Sequence, residues 1–365
     1  MSNIDSKTIQ EEEWRCAAQL IDMVKISAAG FSSTIRFLCK DAADGKELSP
    51  ASSFLMRRFI NCPSVLAPMY YATLTYHYDR LAGKKQIVAD DILACYSPDM
   101  LAVMLFAIYC SAHMRRRADR DEWTKQARLL AKYTELAVPF GIALPELGPS
   151  RALLIAAMRP LSFAVFLTVD PERFKKYRRQ LVQQRMPHNL SEERRLWGCT
   201  HYHLGALLTQ IHGLGTEFSN MILPVALNLS KKQTSQQAML IKIAITWFDA
   251  LVLTGEAPKQ VIGDDIIVSE NSIDRLFEVV NSFKNLSGYD WICKRATDIT
   301  AETHPELFVA GAALGDSVKP ARTASIKRPK EGEYDDIPDE FRALFSQQEF
   351  QSLLSEIQEL MKDNH

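Results

Sequence analysis

Apolar residues recur at helical spacing along most of this chain of 365 residues, and this periodicity constrains the fold more than any other feature. Residues 13–25 place Trp14, Ala17, Ile21 and Val24 on one face of a helix. The same spacing is found in four further segments: 65–82, 122–137, 238–254 and 273–284. Alternating patterns typical of strands are rare, and the best candidate, 260–269, is short. The sequence therefore predicts an all-α fold.

Turn-forming residues and shifts in composition divide the chain. Asp44-Gly45 with Pro50 marks an early break, and the Pro- and Gly-containing stretch 138–149 predicts a connection between helices. Residues 316–340 carry a basic block followed by an acidic one, with few aromatic residues, which is typical of an extended or disordered linker. We predict four parts, namely an N-terminal helical extension (1–49), a main helical domain (50–315), a charged linker (316–340) and a C-terminal amphipathic helix (341–365).

The C-terminal helix is predicted from a stripe of apolar residues at helical spacing. The stripe consists of Phe350, Leu353, Leu354, Ile357, Leu360 and Met361. Because a lone helix of this length is marginally stable in water, we expect the stripe to dock on another surface. That surface belongs either to the same chain or to a partner protein that binds the helix on its tether.

The overall charge is balanced, with 43 Lys and Arg against 44 Asp and Glu, so composition alone indicates neither nucleic acid nor an anionic membrane as a partner. The balance hides an asymmetry. Residues 113–195 hold 17 basic and 9 acidic residues, whereas 331–365 hold 2 basic and 10 acidic ones. The densest basic positions are Arg115, Arg116, Arg117, Arg173, Lys175, Lys176, Arg178 and Arg179.

These basic residues have three interpretations: an anion-binding site, a solvated face, or a surface that receives the acidic tail. Nucleic-acid binding gains little support, because only Phe174 and Tyr177 interleave with the positive charges. Docking of the tail satisfies both charged blocks, and we favour it.

Cysteine usage and the N-terminus predict a cytoplasmic protein. The seven cysteines show no CxxC spacing that would indicate a zinc site or a redox dithiol. The first 13 residues are acidic and polar, unlike a secretory signal. The longest apolar run identified, Met100 to Cys110, is too short to span a bilayer, so no membrane contact is expected.

Histidines provide little support for a metal site. His201, His203 and His212 form the one cluster, and on a helix His201 and His203 point about 200° apart. The HExxH, GxxxxGK[ST] and GxSxG motifs are absent. The residues alone therefore predict neither a metal nor a cofactor.

The segment from Glu193 through Leu196-Trp197-Gly198-Cys199-Thr200-His201 to Gly205-Ala206-Leu207-Leu208 resembles the closing motif of the HDOD family, whose domains are relatives of the HD-type metal phosphohydrolases. Two further segments follow the family's order, one beginning near Trp123 and one covering 151–177. The resemblance extends over about residues 50–290. It implies a multi-helix orthogonal bundle that acts in signalling through protein–protein interaction.

The resemblance also implies that catalysis has been lost. It aligns the His-Asp pair of the enzyme relatives with Arg159 and Pro160, and a further histidine with Lys125. A hydrolytic cation needs imidazole or carboxylate ligands, which these residues do not supply. Two alternatives stay open, namely an HD-type phosphohydrolase with other ligands (His113, His201 and Glu193) and an anion- or nucleic-acid-binding helical protein.

Overall fold

The computed structural model describes residues 2–26, 29–215, 236–258, 270–283 and 290–308. The strand candidate at 260–269, the predicted linker (316–340) and the predicted tail helix (341–365) lie outside these residues. The all-α prediction is confirmed, since the described residues form helices and no strand. The α-helices described are α1 (Ser2–Val24), α2 (Ala29–Ala43), α3 (Pro50–Ile60), α4 (Pro63–Tyr76), α5 (Tyr78–Leu81), α6 (Ala89–Leu93), α7 (Pro98–Arg117), α8 (Arg120–Ala143), α9 (Pro149–Val169), α10 (Pro171–Gln184), α11 (Leu190–Trp197), α12 (His201–Ile211), α13 (Gln236–Thr254) and α14 (Glu270–Phe283).

The chain packs as two compact units, and each is discontinuous in sequence. The first unit contains the described residues of Met1–Ile26 and Val103–Cys293, and the second those of Ser27–Ala102 and Lys294–His365. The boundaries predicted at residues 49 and 315 were placed from turn-forming residues and composition, whereas these units are defined by which segments pack together. Helix α1 therefore belongs with a stretch of chain that begins more than 75 residues after it ends.

Helix α9 is the core of the first unit. Its residues from Ala152 to Leu167 are buried, and α8 packs along it while α1, α10, α12 and α13 also contact it. A helix that is apolar on all sides is typical of such a buried position. Pro160 is accommodated inside it, and the Nε2 of Gln126 donates to the Pro160 carbonyl at 2.7 Å.

Two of the described helices, Pro149–Val169 and Gln236–Thr254, are long and apolar enough to cross a membrane by length and composition. Each of them contains charged residues, unlike the uninterrupted apolar run Met100–Cys110. A core helix of a soluble protein meets the same criterion, and 89% of the apolar window in Pro149–Val169 is buried inside the protein, against 44% in Gln236–Thr254.

The predicted connection at 138–149 is wrong in its first half. Helix α8 continues through Pro139 and Gly141 to Ala143, because Val138, Phe140 and Ala143 extend its buried face. A proline removes one backbone donor, and this loss is tolerated where tertiary packing holds the turn. Gly141 is required by close packing, since a Cβ atom there would lie 2.4 Å from the Cα of Pro149.

Two helix boundaries match their sequence signals, whereas one predicted helix is divided. Helix α2 ends just before Asp44-Gly45, and α3 begins at Pro50 with Ser49 as its N-cap. The helix predicted over 65–82 is interrupted at His77, which separates α4 from α5.

The second unit is built on α2 to α6. Phe31 and Phe59 meet edge to face at 6.0 Å in its core, beside buried Leu55 and Leu66. The chain contributes to this unit again after Lys294, where the 3-10 helix Ala296–Asp298 packs against α4. A second 3-10 helix follows at Pro305–Leu307.

Candidate functional site

A buried ion pair in the first unit joins Arg159 of α9 to Asp249 of α13. Arg159 of α9 is 5% exposed, and its guanidinium donates two hydrogen bonds to Asp249 of α13, one of them from Nη2 at 2.8 Å. The hydroxyl of Tyr133 on α8 donates to Asp249 Oδ1 at 2.8 Å and accepts from Arg159 Nη1 at 3.0 Å. The two charges thus neutralise each other, and Tyr133 hydrogen-bonds both ions.

The electrostatics of this triad keep Arg159 charged and Tyr133 protonated. Burial alone would lower the pKa of Arg159, but the charge of Asp249 and the Tyr133 hydroxyl hold that pKa well above its ordinary value. Burial also raises the pKa of the Tyr133 hydroxyl, which stays protonated and able to donate. A positive charge is therefore fixed in the core and compensated by a single carboxylate.

A second buried network surrounds Glu193, which has no exposed surface. Its carboxylate accepts hydrogen bonds from the backbone N–H of His201 at 2.8 Å, from Nδ1 of the same histidine at 2.8 Å and from the hydroxyl of Tyr177 at 2.6 Å. Burial raises the pKa of Glu193, but the attraction of His201 and these hydrogen bonds outweigh burial and lower it below the usual value. Glu193 therefore fixes the start of α12 onto α10 and α11.

His201 connects this network to a small cavity. The cavity is lined by both ions of the triad, by Tyr133, His201 and Tyr202, and by Ile155, Met158, Ile245 and Phe248. Its volume of about 10 Å³ is at the lower limit for one water molecule. His201 Nε2 and Arg159 Nε, both buried, have no hydrogen-bond partner among the described residues.

His188 packs against the same histidine, with ring centroids 4.9 Å apart. Burial, together with the nearby charge of Arg159, lowers the pKa of His188 to about 2. The imidazole of His188 is therefore neutral at physiological pH, and the core avoids a further positive charge.

The opposite directions predicted for His201 and His203 match the structure. His203 points away from the cavity to α1, where its Nε2 lies 3.2 Å from Glu13 and its ring meets Trp14 edge to face. Arg194 also pairs with Glu13. These contacts attach α1 to the end of α11 and the start of α12.

The remaining positions of the family motif divide between packing and surface. Trp123 is buried, whereas Lys125 is half exposed, pairs with Glu122 at 2.7 Å and does not line the cavity. Lys125 therefore lies outside the cavity that Arg159 and His201 line. Gly205 allows α12 to approach α9, since a Cβ atom there would lie 2.3 Å from Cγ of Met158.

Several of the basic residues considered as an anion-binding site are engaged within the chain. Arg178 pairs with buried Glu122 at 2.5 Å, Arg173 with Asp170 at 3.1 Å, and Lys175 with Glu172 at 3.6 Å. Arg117 donates to the carbonyl of Val24 at 2.7 Å. Lys176 and Arg179 lie on the exposed face of α10. Part of this basic segment therefore forms ion pairs and hydrogen bonds within the chain.

Two of the three alternative metal ligands meet. Glu193 and His201 are in contact, but Nε2 of His113 lies 3.2 Å from the carbonyl of Val24, and its ring faces Tyr109 instead. Among the described residues, no group of three His, Cys, Asp or Glu side chains is placed to hold a metal ion.

Asp249 and Tyr133 were missed from the sequence. Asp249 was detectable in principle, because it is the one acidic residue in the apolar segment 238–254, just as Arg159 is the one charge in the middle of α9. Isolated opposite charges in two buried helices indicate an ion pair. Tyr133 carries no comparable signal, since a tyrosine at helical spacing is normally read as core.

Comparison of the chain with models of protein families, with curated proteins and with solved structures finds no match.

Proposed function

We propose that this protein is a non-catalytic helical module of the HDOD type, which acts in signalling or regulation in the cytoplasm by binding another protein. The observation that carries the proposal is the buried Arg159–Asp249 ion pair. The resemblance aligns Arg159 and Pro160 with the metal-binding His-Asp pair of the enzymes, and the charge of Arg159 is neutralised by Asp249 rather than replaced by a metal ligand. The Glu193–His201 contact and Gly205, which belong to the same motif, serve packing between α9, α11 and α12.

Charge and space both disfavour a metal-dependent site around Arg159. A divalent cation at this point would lie next to the guanidinium of Arg159. The carboxylate best placed to bind such a cation, that of Asp249, already accepts hydrogen bonds from Arg159 and Tyr133. Glu193 is likewise saturated by His201 and Tyr177. A cavity of about 10 Å³ leaves no space for a phosphoester next to these groups.

The first experiment tests catalysis. The full chain, purified with added Mn²⁺, Fe²⁺ or Mg²⁺, is analysed for bound metal and for hydrolysis of phosphodiesters. We expect sub-stoichiometric metal and no turnover above that of the variant His201→Ala. A stoichiometric ion together with turnover that His201→Ala abolishes would refute the proposal.

The second experiment tests interaction. Partners cross-linked to the full chain in its own cells are identified, purified and titrated against the chain by calorimetry. We expect saturable binding by at least one purified protein, unchanged by chelators. If every candidate fails to bind once purified, the interaction part of the proposal is wrong.

A second candidate function, an HD-type phosphohydrolase with unusual ligands, is favoured by one observation. Nε2 of His201 belongs to a side chain that lines the cavity, and Glu193 holds the ring in a fixed tautomer with Nδ1 protonated. This is the arrangement by which a carboxylate orients a metal-binding histidine. The metal analysis described above separates the two functions.

A further inference from the structure

The small cavity of the first unit is lined by two side chains that each have an unsatisfied polar atom. His201 Nε2 and Arg159 Nε are buried and have no hydrogen-bond partner among the described residues. Both residues line the cavity, and their exposed fractions are 0% and 5%. Buried polar atoms in native proteins nearly always bond a neighbour or an ordered water molecule. The two atoms therefore indicate a ligand in this cavity.

The other polar atoms of the two side chains are already engaged. Nη1 and Nη2 of Arg159 bond Asp249 and Tyr133, so Nε is the one guanidinium nitrogen left over. The Nδ1 edge of the His201 ring is turned to Glu193, which does not line the cavity. Nε2, on the other side of the ring, is thus the polar atom through which His201 can bind a ligand in the cavity.

The size and charge of the cavity limit what it can hold. Its volume of about 10 Å³ suffices for one water molecule and for no organic ligand. A cation would lie next to the guanidinium of Arg159, and an anion would find the charge of that guanidinium already neutralised by Asp249. We propose that one water molecule binds in this cavity and bridges His201 Nε2 to Arg159 Nε.

Water fits both atoms without any assumption about the charge of His201. The Nε–H of Arg159 donates to the water oxygen. Because water both donates and accepts, it bonds Nε2 of His201 whether that nitrogen carries a proton or a lone pair. The Tyr133 hydroxyl, which accepts one hydrogen bond from Arg159, keeps a second lone pair for the remaining water proton.

The water joins two buried networks into one. Glu193 and His201 connect α11 to α12, and Arg159 and Asp249 connect α9 to α13. With the water in place, a continuous chain of hydrogen bonds runs from Glu193 through His201, the water and Arg159 to Asp249. The same water takes up the Nε2 position at which the second candidate function would require a metal ion.

Crystallography of the full chain tests the site, at a resolution that shows ordered water. One crystal is grown with EDTA and with sodium bromide in place of chloride, and a second with Mn²⁺. In both we expect one density peak about 2.7–3.2 Å from His201 Nε2 and from Arg159 Nε, without anomalous signal.

Each other outcome contradicts the proposal in a distinguishable way. An empty cavity, or a peak bonded to only one of the two atoms, would refute the water alone and leave the proposed function untouched. Anomalous signal in the bromide crystal would show an anion site instead. Anomalous signal in the manganese crystal would overturn the water and the non-catalytic function together.

Solution spectroscopy tests the same water without a crystal lattice. The full chain is labelled with ¹⁵N-arginine, and the Hε proton of Arg159 is assigned from its contacts with the Tyr133 ring. A long-lived water gives cross-peaks of opposite sign in laboratory-frame and rotating-frame Overhauser spectra, whereas proton exchange gives the same sign in both. We expect opposite signs at Arg159. The matched control is Arg195, whose Nε–H bonds Glu192 on the surface and should show exchange only. No water cross-peak at Arg159, or exchange alone, would overturn the proposal.

Discussion

At the scale of single residues, the core of the first unit depends on charges that are compensated one to one. Arg159 and Asp249 are each nearly inaccessible to water, and each is the other's counter-ion. Removing one partner leaves an uncompensated buried charge, whereas removing both can cost little when apolar side chains fill the space.

This difference predicts the outcome of a double-mutant cycle. Arg159→Met should lower the free energy of unfolding by about 3–5 kcal/mol, because Asp249 is left buried without a counter-ion. Asp249→Leu added to it should restore most of the loss. The measurement is urea unfolding followed by circular dichroism. Arg195→Met, which breaks an exposed bidentate pair with Glu192, serves as control and should change stability little. A double variant that is no more stable than Arg159→Met alone would contradict the compensation.

A second residue-scale prediction concerns acid. His212 has no exposed surface, and burial, with a smaller effect of His113, lowers its pKa to about 4. Below about pH 6.5 the unfolded chain binds a proton that the folded chain does not, so stability falls by at most about 1.4 kcal/mol per pH unit until pH 4. His212→Phe keeps a ring beside Phe106 and Tyr109, and should flatten the stability curve between pH 6.5 and 4. Parallel curves for wild type and variant would exclude this origin of acid sensitivity.

At the scale of helices, close approach to α9 is made possible by two glycines in different surroundings. Gly141 faces the backbone at Gly148 and Pro149, whereas Gly205 faces the side chains of Met158 and Ser162. Backbone cannot move aside, but the end of a methionine can adopt another rotamer.

The two Gly→Ala variants should therefore differ. Gly141→Ala is expected to destabilise by about 1–3 kcal/mol, the usual cost of overpacking. Gly205→Ala should cost less, and the smaller Met158→Leu side chain combined with it should recover part of the loss. Thermal unfolding of the three variants gives the comparison. A larger loss for Gly205→Ala than for Gly141→Ala would contradict the packing described at α9.

The sequence predicts helices well because their signal is local. The apolar spacing of 13–25, 122–137 and 238–254 lies within one element and needs no knowledge of its neighbours. The error at Pro139 has the opposite cause, since the packing of Phe140 and Ala143 against distant residues overrides the local tendency of proline. The Glu193–His201 pair was grouped correctly, being eight residues apart, whereas the 90 residues between Arg159 and Asp249 concealed their contact.

At the scale of the whole molecule, the buried core lies within the two described units. The predicted tail helix is the segment that we expect to dock on a partner or on its own chain. Its apolar stripe and the acidic residues around it are properties of the sequence at 341–365. If the tail binds a partner or its own chain through this stripe, its loss must be visible in affinity or in stability.

Deletion of 338–365 should either weaken partner binding or lower the melting temperature, because it removes the apolar stripe and leaves the surface that receives the stripe uncovered. The sharper variant is Leu353→Lys with Ile357→Lys, which places charges on the stripe. Its matched control is Ser352→Lys with Ser355→Lys, which adds the same charge to the opposite face of the predicted helix. Calorimetric titration and thermal unfolding are compared for all variants. Unchanged values after deletion would refute docking of the tail.

The membership of α1 in the first unit has a consequence for biosynthesis. Glu13 meets Arg194, which follows it by 181 residues, and the whole of 29–102 is made in between. At typical translation rates the ribosome needs about 10–40 seconds to cover that distance. During this interval Trp14, Ile21 and Val24 have no α9 or α12 to cover them, so the nascent chain presents an uncovered apolar helix that a chaperone would be suited to shield.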